Sequence, residues 1–208
     1  MTIHGACDEK FARVREVFAQ SFEHRLALGA SLAVTVDGRP VVDLWGGFAD
    51  GAKSRPWESN TLVNVFSTTK GLTAMVALRL VDEGLLDLDA PVARYWPEFA
   101  QADKGTVPVR ALLSHRAGLP ALRNMLPNEA LWDWSAMTSA LAAERPWWEP
   151  GTQHGYHAVT YGWLVGEVIR RVAGRTVGKY FRDELARPLG LDAYIGFGPE
   201  HDSRCAEL

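Results

Sequence analysis

The sequence predicts an α+β fold in which one amphipathic helix and a β-hairpin precede a long helical region. Three observations carry that reading. Apolar residues recur at helical spacing in residues 8–28, two β-rich runs flank Asp37-Gly38, and no convincing strand follows residue 65. The division falls at residue 66. Residues 1–66 hold the N-terminal helix and the hairpin, and residues 67–208 form the mostly helical part.

In residues 8–28 (DEKFARVREVFAQSFEHRLAL), Phe11, Val14, Val17, Phe18, Phe22 and Leu26 share one side and charged residues take the other. That spacing predicts an amphipathic helix, and Gly29 suits its C-terminal stop. Residues 31–36 (SLAVTV) and 40–45 (PVVDLW) are β-rich. Asp37-Gly38 between them fits a two-residue hairpin turn, in which both positions take positive φ. Gly46-Gly47 ends the second strand, and residues 48–64, with Gly51, Pro56 and Asn60, read as loop. Residues 67–83 (STTKGLTAMVALRLVDE) read as a helix with Ser67 at its cap or in its first turn and Gly84 as its stop. Leu72, Met75, Val76 and Leu80 make it apolar on most faces, which predicts a buried helix. Beyond it, Pro91, Pro97, Pro108, Pro120, Pro127, Pro146 and Pro150 break the chain into short segments. The clearest helices there are 129–143, 157–173 and 176–187. One hairpin alone is a marginal sheet. Either it packs on helices only, or further strands complete it.

The chain has 208 residues, 47% of them hydrophobic, which suits one domain or one domain with a sub-domain. Its net charge of −3 is spread without blocks of one sign, and neither a nucleic acid nor an anionic membrane is expected as a partner. Cys7 and Cys205 are too few for a disulfide framework and read as free thiols in a reducing compartment. The first ten residues, MTIHGACDEK, lack the basic start and apolar stretch of a secretory signal, and no apolar run approaches the ~18 residues of a membrane span. A cytoplasmic protein is expected. Trp45, Trp57, Trp96, Trp147 and Trp148 fall in loop-like stretches, where they either line a pocket or simply pack.

No G-x-S-x-G elbow, H-E-x-x-H, P-loop or strand-following G-x-G-x-x-G is present. His154 and His157 lack a third ligand nearby, so neither a metal nor another cofactor is expected. What remains is Ser67-Thr68-Thr69-Lys70. On a helix, residues i and i+3 share a face, so Lys70 can reach the Ser67 hydroxyl. The helix N-terminus favours negative charge developing at Ser67. A lysine on a buried helix is costly unless it is partnered or put to use. The plain alternative is a capping serine beside a solvated lysine.

Around that tetrapeptide, NVFSTTKGLTA resembles the nucleophile segment of class C β-lactamases and family VIII carboxylesterases. Further segments match in order. ALLSHRAGLP (111–120) is similar to the family's L-L-[ST]-H-x-[AS]-G-L-P signature. WWEPGTQHGYHAVTYGWLVGEVI (147–169) is similar to the P-G-x-x-x-x-Y segment. RPLGLD (187–192) resembles the P-L-G-[ML]-x motif, and DLWGGFAD (43–50) the second strand of such esterases. The likeness runs from about residue 8 to 198.

The resemblance implies a β-lactamase/penicillin-binding-protein-like fold: an antiparallel sheet flanked by helices, with an all-helical region inserted. It implies that the remaining strands, one oxyanion-hole donor and a third motif of the K-T-G kind lie C-terminal to Leu208, in a complementary segment or second chain, since members usually run to nearly twice this length. It also implies that Ser67 attacks the carbonyl of a small-molecule ester, that Lys70 and Tyr156 handle the proton, and that an acyl-enzyme forms. The plain alternative for Tyr156 is a buried tyrosine donating to a backbone carbonyl; Tyr161 competes for its role but sits in the following helix pattern. Leu119, Pro120, Trp147 and Trp148 are expected to line the substrate pocket. Ser114-His115 invite a serine–histidine pairing, but His115 reads better as a buttress for the pocket loop. One departure decides between activities. The class C pattern is Tyr-x-Asn, whereas here Tyr156-His157-Ala158 lacks the amide that helps hold an amide substrate. A carboxylesterase is therefore expected; the alternatives are a β-lactamase, a D-Ala-D-Ala peptidase, or an incomplete half that binds its complement.

Overall fold

Asp37 and Gly38 both carry positive φ, 50° and 75°, as a two-residue turn that follows strand twist requires. They join β2 (Gly29–Val36) to β3 (Arg39–Gly47), the hairpin expected from the sequence. The structure is a computed structural model, and it describes residues 1–24 and 27–208. The chain forms two compact units, one made of Met1–Asn64 with Phe197–Leu208 and the other of Val65–Gly196.

In the first unit a third strand, β1 (Ile3–Cys7), pairs with β3, giving an antiparallel sheet of order β1-β3-β2. Strand β1 has no sequence signature, because only its end residues are even partly buried and the alternation of a half-buried strand is missing. Gly5 in its middle has φ 95°, and a Cβ there would lie 1.9 Å from the Asp43 carbonyl oxygen. Close approach of two backbones, rather than side-chain packing, selects that residue.

The first helix, α1 (Ala12–Glu23), starts after a 3₁₀ turn at Glu9–Phe11. Phe18 and Phe22 are buried against Val42 and Leu44 of β3, with Phe11, Val14 and Leu32 packed around them. Val17 is half exposed, and Leu26 lies outside the described residues. Gly29 does not stop the helix; it is already the first residue of β2, paired with Gly47. Loop 48–62 is tied to the last residues of the chain. Leu62 N–H donates to the Arg204 carbonyl (2.9 Å), Ala206 N–H to the Leu62 carbonyl (2.8 Å) and Glu207 N–H to the Ala49 carbonyl (2.8 Å). Arg55 adds bonds to the carbonyls of Ser203 and Cys205.

The second unit is helical: α2 (Thr69–Asp82), α3 (Val109–Leu113), α4 (Trp134–Ala143), α5 (Tyr161–Ala173) and α6 (Val177–Phe181), the last running through a π turn at Arg182–Ala186. Its core includes Val76, Leu80, Trp96, Phe99, Leu141 and Leu164, all essentially buried. Each such side chain contributes about 1.5–3 kcal/mol relative to exposure. Helix α2 buries one face only, through Thr73, Val76, Ala77 and Leu80, while Met75 and Leu78 are about half exposed. Its apolar composition thus overstated its burial, since α5 and α6 pack on one side of it. Helix α4 starts at Trp134 because Asp133 Oδ1 accepts from Ala136 N–H, and Thr176 caps α6 in the same way.

Two buried charges fix the packing. Lys104 is fully buried and its ammonium donates to the carbonyls of Gln101, Ala142 and Glu144 at 2.6–2.9 Å. Two of these are at the C-terminal end of α4, where carbonyls lack helical partners. Burial pushes Lys104 down to about 8, against an upward pull from Glu144. Glu167 on α5 is 1% exposed and accepts from Arg170, Arg171 and the Trp134 indole. Burial alone would raise its pKa, but the bonds from Arg170, Trp134 and Arg171 outweigh it and hold it at about 2.

A carboxylate held low stabilises the fold above its unfolded pKa of 4.5, and that stability drains away as pH falls toward 2. Glu167→Gln should therefore flatten the acid limb of stability between those values. Glu167→Ala should cost roughly 2 kcal/mol or more at neutral pH. Urea unfolding at a series of pH values checks both.

Candidate active site

Three residues before α2, the chain makes a costly turn. Phe66 has φ 44°, a left-handed conformation that costs a bulky residue about 1–3 kcal/mol. The turn delivers Ser67 into a 3₁₀ turn (Phe66–Thr68) that leads into α2, with the serine exposed. One helical turn on, the half-buried Lys70 donates from Nζ to Ser67 Oγ at 3.0 Å and to the Ala158 carbonyl at 2.8 Å.

Tyr156 comes from the loop before α5. It is about half exposed, and Lys70 Nζ lies 5.0 Å from its ring centroid. Hydrogen bonding with Ser67 first, then with Lys70, draws the phenol below the usual tyrosine range. Tyr161 behaves oppositely. It is the first residue of α5, 3% exposed, and burial pushes its phenol up to about 12 while its hydroxyl reaches the Lys70 carbonyl at 3.4 Å. Two tyrosines near one lysine are thus separated by environment: hydrogen bonds draw the Tyr156 phenol down, and burial pushes that of Tyr161 up.

The loops that carry Tyr156 are tied together mainly through backbone atoms. Trp147 N–H donates to the Gly118 carbonyl (2.7 Å), Gly151 N–H to the Arg116 carbonyl (2.9 Å) and Gly155 N–H to the His115 carbonyl (3.1 Å). The Arg116 guanidinium returns a bond to the Gly151 carbonyl. Thr160 Oγ1 donates to the Leu119 carbonyl at 2.7 Å. His157, fully buried, accepts from Leu119 N–H at Nε2 (2.9 Å), and its Nδ1 bonds the Gly155 carbonyl (2.6 Å). Its own N–H donates to His115 Nδ1 at 3.2 Å.

Ser67, Lys70 and Tyr156 are therefore brought together, and the residues expected around a substrate are not. Leu119 is fully buried in the core, so its side chain has no face open to a ligand. Its backbone matters instead, through His157 and Thr160. Trp147 lies under the Arg123 guanidinium, 4.3 Å from the ring centroid, and donates to the Ala121 carbonyl. Trp148 packs its ring edge on His157 and donates to the Gln153 carbonyl. Pro120 is half-buried. A cleft of about 780 Å³ is lined instead by Thr69, Thr73, Trp134, Val159, Trp163 and Ile195, among others. The Ala158 carbonyl, His157 and the Phe66 turn are components that sequence reasoning missed. Only the proximity of Ala158 and His157 to Tyr156 pointed to them. Among the described residues, no group of three or more His, Cys, Asp or Glu is placed to hold a metal ion, and no helix is long and apolar enough to cross a membrane.

An α+β chain that places a serine, a lysine one helical turn on and a loop tyrosine at one point has the architecture of the penicillin-recognising serine enzymes and their relatives. The sequence agrees. Residues 14–208 match the Beta-lactamase family, and the chain belongs to it. It is 44% identical over 208 residues to esterase/beta-lactamase LipL of Mycobacterium tuberculosis, covering 99% of this chain and 48% of that protein. It is 38% identical over 112 residues to esterase EstB of Burkholderia gladioli, covering 52% and 29%. Among solved structures, a penicillin-binding protein homologue from Caulobacter crescentus superposes with a TM-score of 0.96 at 47% identity, covering all of this chain and 56% of that one. A family VIII carboxylesterase superposes with a TM-score of 0.93, also at 47% identity, covering 100% and 57%. The chain spans about half the length, or less, of these relatives.

Gly118 sits at φ 74°, and a Cβ there would meet the Trp148 carbonyl oxygen at 2.6 Å. Gly118→Ala should cost about 1–3 kcal/mol, because backbone rather than a movable side chain blocks the space. Thermal unfolding with near-ultraviolet dichroism of the tryptophans reads the loss.

Proposed function

We propose that this chain carries the nucleophilic half of a carboxylesterase, with Ser67 as nucleophile and Lys70 and Tyr156 as one proton-handling unit. The observation that carries the reading is the 3.0 Å bond between Lys70 Nζ and Ser67 Oγ, beside a tyrosine whose phenol those two groups draw down. In the first step Ser67 Oγ bonds to the ester carbonyl carbon, and its proton passes to the Lys70–Tyr156 pair. The tetrahedral intermediate then collapses as the C–O bond to the alcohol breaks, and the pair returns the proton to the departing oxygen. Water repeats the sequence on the acyl-serine, releasing the acid and restoring the hydroxyl.

Esters are favoured over β-lactams because Ala158 offers no side-chain amide to the substrate. Its side chain is apolar, and its backbone carbonyl accepts from Lys70. The Burkholderia gladioli relative is called an esterase and the Mycobacterium tuberculosis one an esterase/beta-lactamase, so esters are the substrate class the two names share. A cytoplasmic setting for the reaction fits Cys7 and Cys205, which are both free thiols.

Intact mass after incubation with a fluorophosphonate tests the assignment. One adduct is expected, and it should vanish in Ser67→Ala. Tyr156→Phe and Lys70→Met should each slow labelling by roughly 10²–10⁴. An adduct that persists in Ser67→Ala would overturn the proposal. Turnover of p-nitrophenyl acetate against nitrocefin then separates ester from β-lactam cleavage, and a faster rate on nitrocefin would reject the esterase.

A further inference from the structure

We propose that His115 and His157 are positioning residues whose neutral imidazoles hold Tyr156 at Ser67, and that acid switches the site off by protonating them. The proposal rests on the esterase reading for what the switch controls, while the switch itself stands on loop geometry.

Both nitrogens of His157 are committed. Nε2 accepts the Leu119 N–H at 2.9 Å, and Nδ1 lies 2.6 Å from the Gly155 carbonyl, to which it must donate. Only the neutral tautomer with its proton on Nδ1 satisfies both. His115 is constrained in the same manner: its Nδ1 accepts the His157 N–H at 3.2 Å, so that nitrogen carries no proton. The His115 carbonyl also accepts from Gly155 N–H. The residues on either side of Tyr156 are thus both anchored on His115, whose ring lies edge-on to the tyrosine with centroids 4.9 Å apart. His115 itself sits at φ 60°, a left-handed conformation that a non-glycine residue holds only when its surroundings fix it.

Protonation breaks this arrangement by sign. An imidazolium donates at both nitrogens, so a bond that accepts a backbone N–H becomes two N–H groups facing each other. The groups that act on these rings offer no compensation. They are the Lys70 ammonium of α2, His154 of the same loop, Tyr156, and Tyr161 of α5; none is a carboxylate. Burial first, then His157, His154 and Lys70, lowers the His115 pKa; burial, opposed by the Gly155 carbonyl and joined by His154, lowers that of His157. Histidines depressed in the folded state favour it at pH above their ordinary value of 6.5, and that contribution is lost as pH falls through the folded values. The site is therefore held at neutral pH and released on the acid side.

Two readouts on the 208-residue chain test this. Hydrogen exchange, corrected for intrinsic rates, should show the His157 and Leu119 amides protected at about pH 7.5 and at least about tenfold less protected at about pH 5. The rate of fluorophosphonate labelling at Ser67 should fall by a similar factor over the same range. His115→Asn with His157→Gln places non-titrating acceptors at the same positions. This pair should lose most of the acid decline, whatever its labelling rate at neutral pH. His115→Phe keeps a ring but no acceptor, and at about pH 7.5 should label roughly tenfold more slowly than the parent chain. An unchanged acid decline in the double variant would overturn the proposal, since it would belong to Lys70 and Tyr156. Absence of labelling at any pH would refute the esterase reading, and amide protection would still decide the switch. If the double variant does not fold, the wild-type amides decide alone, and protection that ignores pH would reject the inference.

Discussion

Backbone groups in loops shielded from water need partners, and segments 115–120 and 147–160 meet that need by bonding to each other. Gly118, Arg116 and His115 supply carbonyls to Trp147, Gly151 and Gly155, and Leu119 uses both of its backbone groups, on His157 and Thr160. The placement of Tyr156 depends on that mutual satisfaction. Neither segment is regular secondary structure beyond residue 114, yet together they form a hydrogen-bonded frame that ends where α5 begins. On the opposite side, the left-handed turn at Phe66 and the first turn of α2 set Ser67 and Lys70. The Ala158 carbonyl is the point at which the frame and α2 meet, through Lys70 Nζ.

The charges are sorted accordingly. Around Lys70 and Tyr156 are tyrosines and histidines, whereas the most deeply buried carboxylate of the unit, Glu167, is six residues into α5 and saturated by two arginines and an indole. A carboxylate next to Lys70 would hold the ammonium as an ion pair and leave it unavailable for proton exchange. Tyr156 and Tyr161 show the same sorting within one residue type, for one phenol is exposed to two polar partners and the other is buried at the start of α5.

Local chemistry was legible in the sequence, and long-range satisfaction was not. Asp37-Gly38 announced its turn because positive φ at both positions is a local demand. Ser67 and Lys70 were legible as a pair because helical spacing puts them within reach, and the segments around them favoured that reading over a capping serine. Strand β1 was hidden, since a glycine-centred, mostly exposed strand has no side-chain period to read. The start of α5 was placed too early, at 157, because the apolar pattern continues backward into a segment that His157 and Thr160 pin as loop. Leu119 looked like a pocket residue because it stands in a signature loop, but its side chain belongs to the core of the helical unit. His157 could be read as a loop or core histidine and nothing more, because its two partners are 38 residues and two residues away along the chain.

The bonds between loop 48–62 and residues 204–207 make the first unit discontinuous along the chain, with the whole second unit inserted between its parts. Synthesis runs N-terminus first, at about 5–20 residues per second. The carbonyl and amide of Leu62 therefore leave the ribosome on the order of ten seconds before Arg204 and Ala206 exist to meet them. In that interval the residues of the helical unit are made, and loop 48–62 lacks these partners. Closure of loop 48–62 thus waits on residues that follow the whole helical unit in the chain.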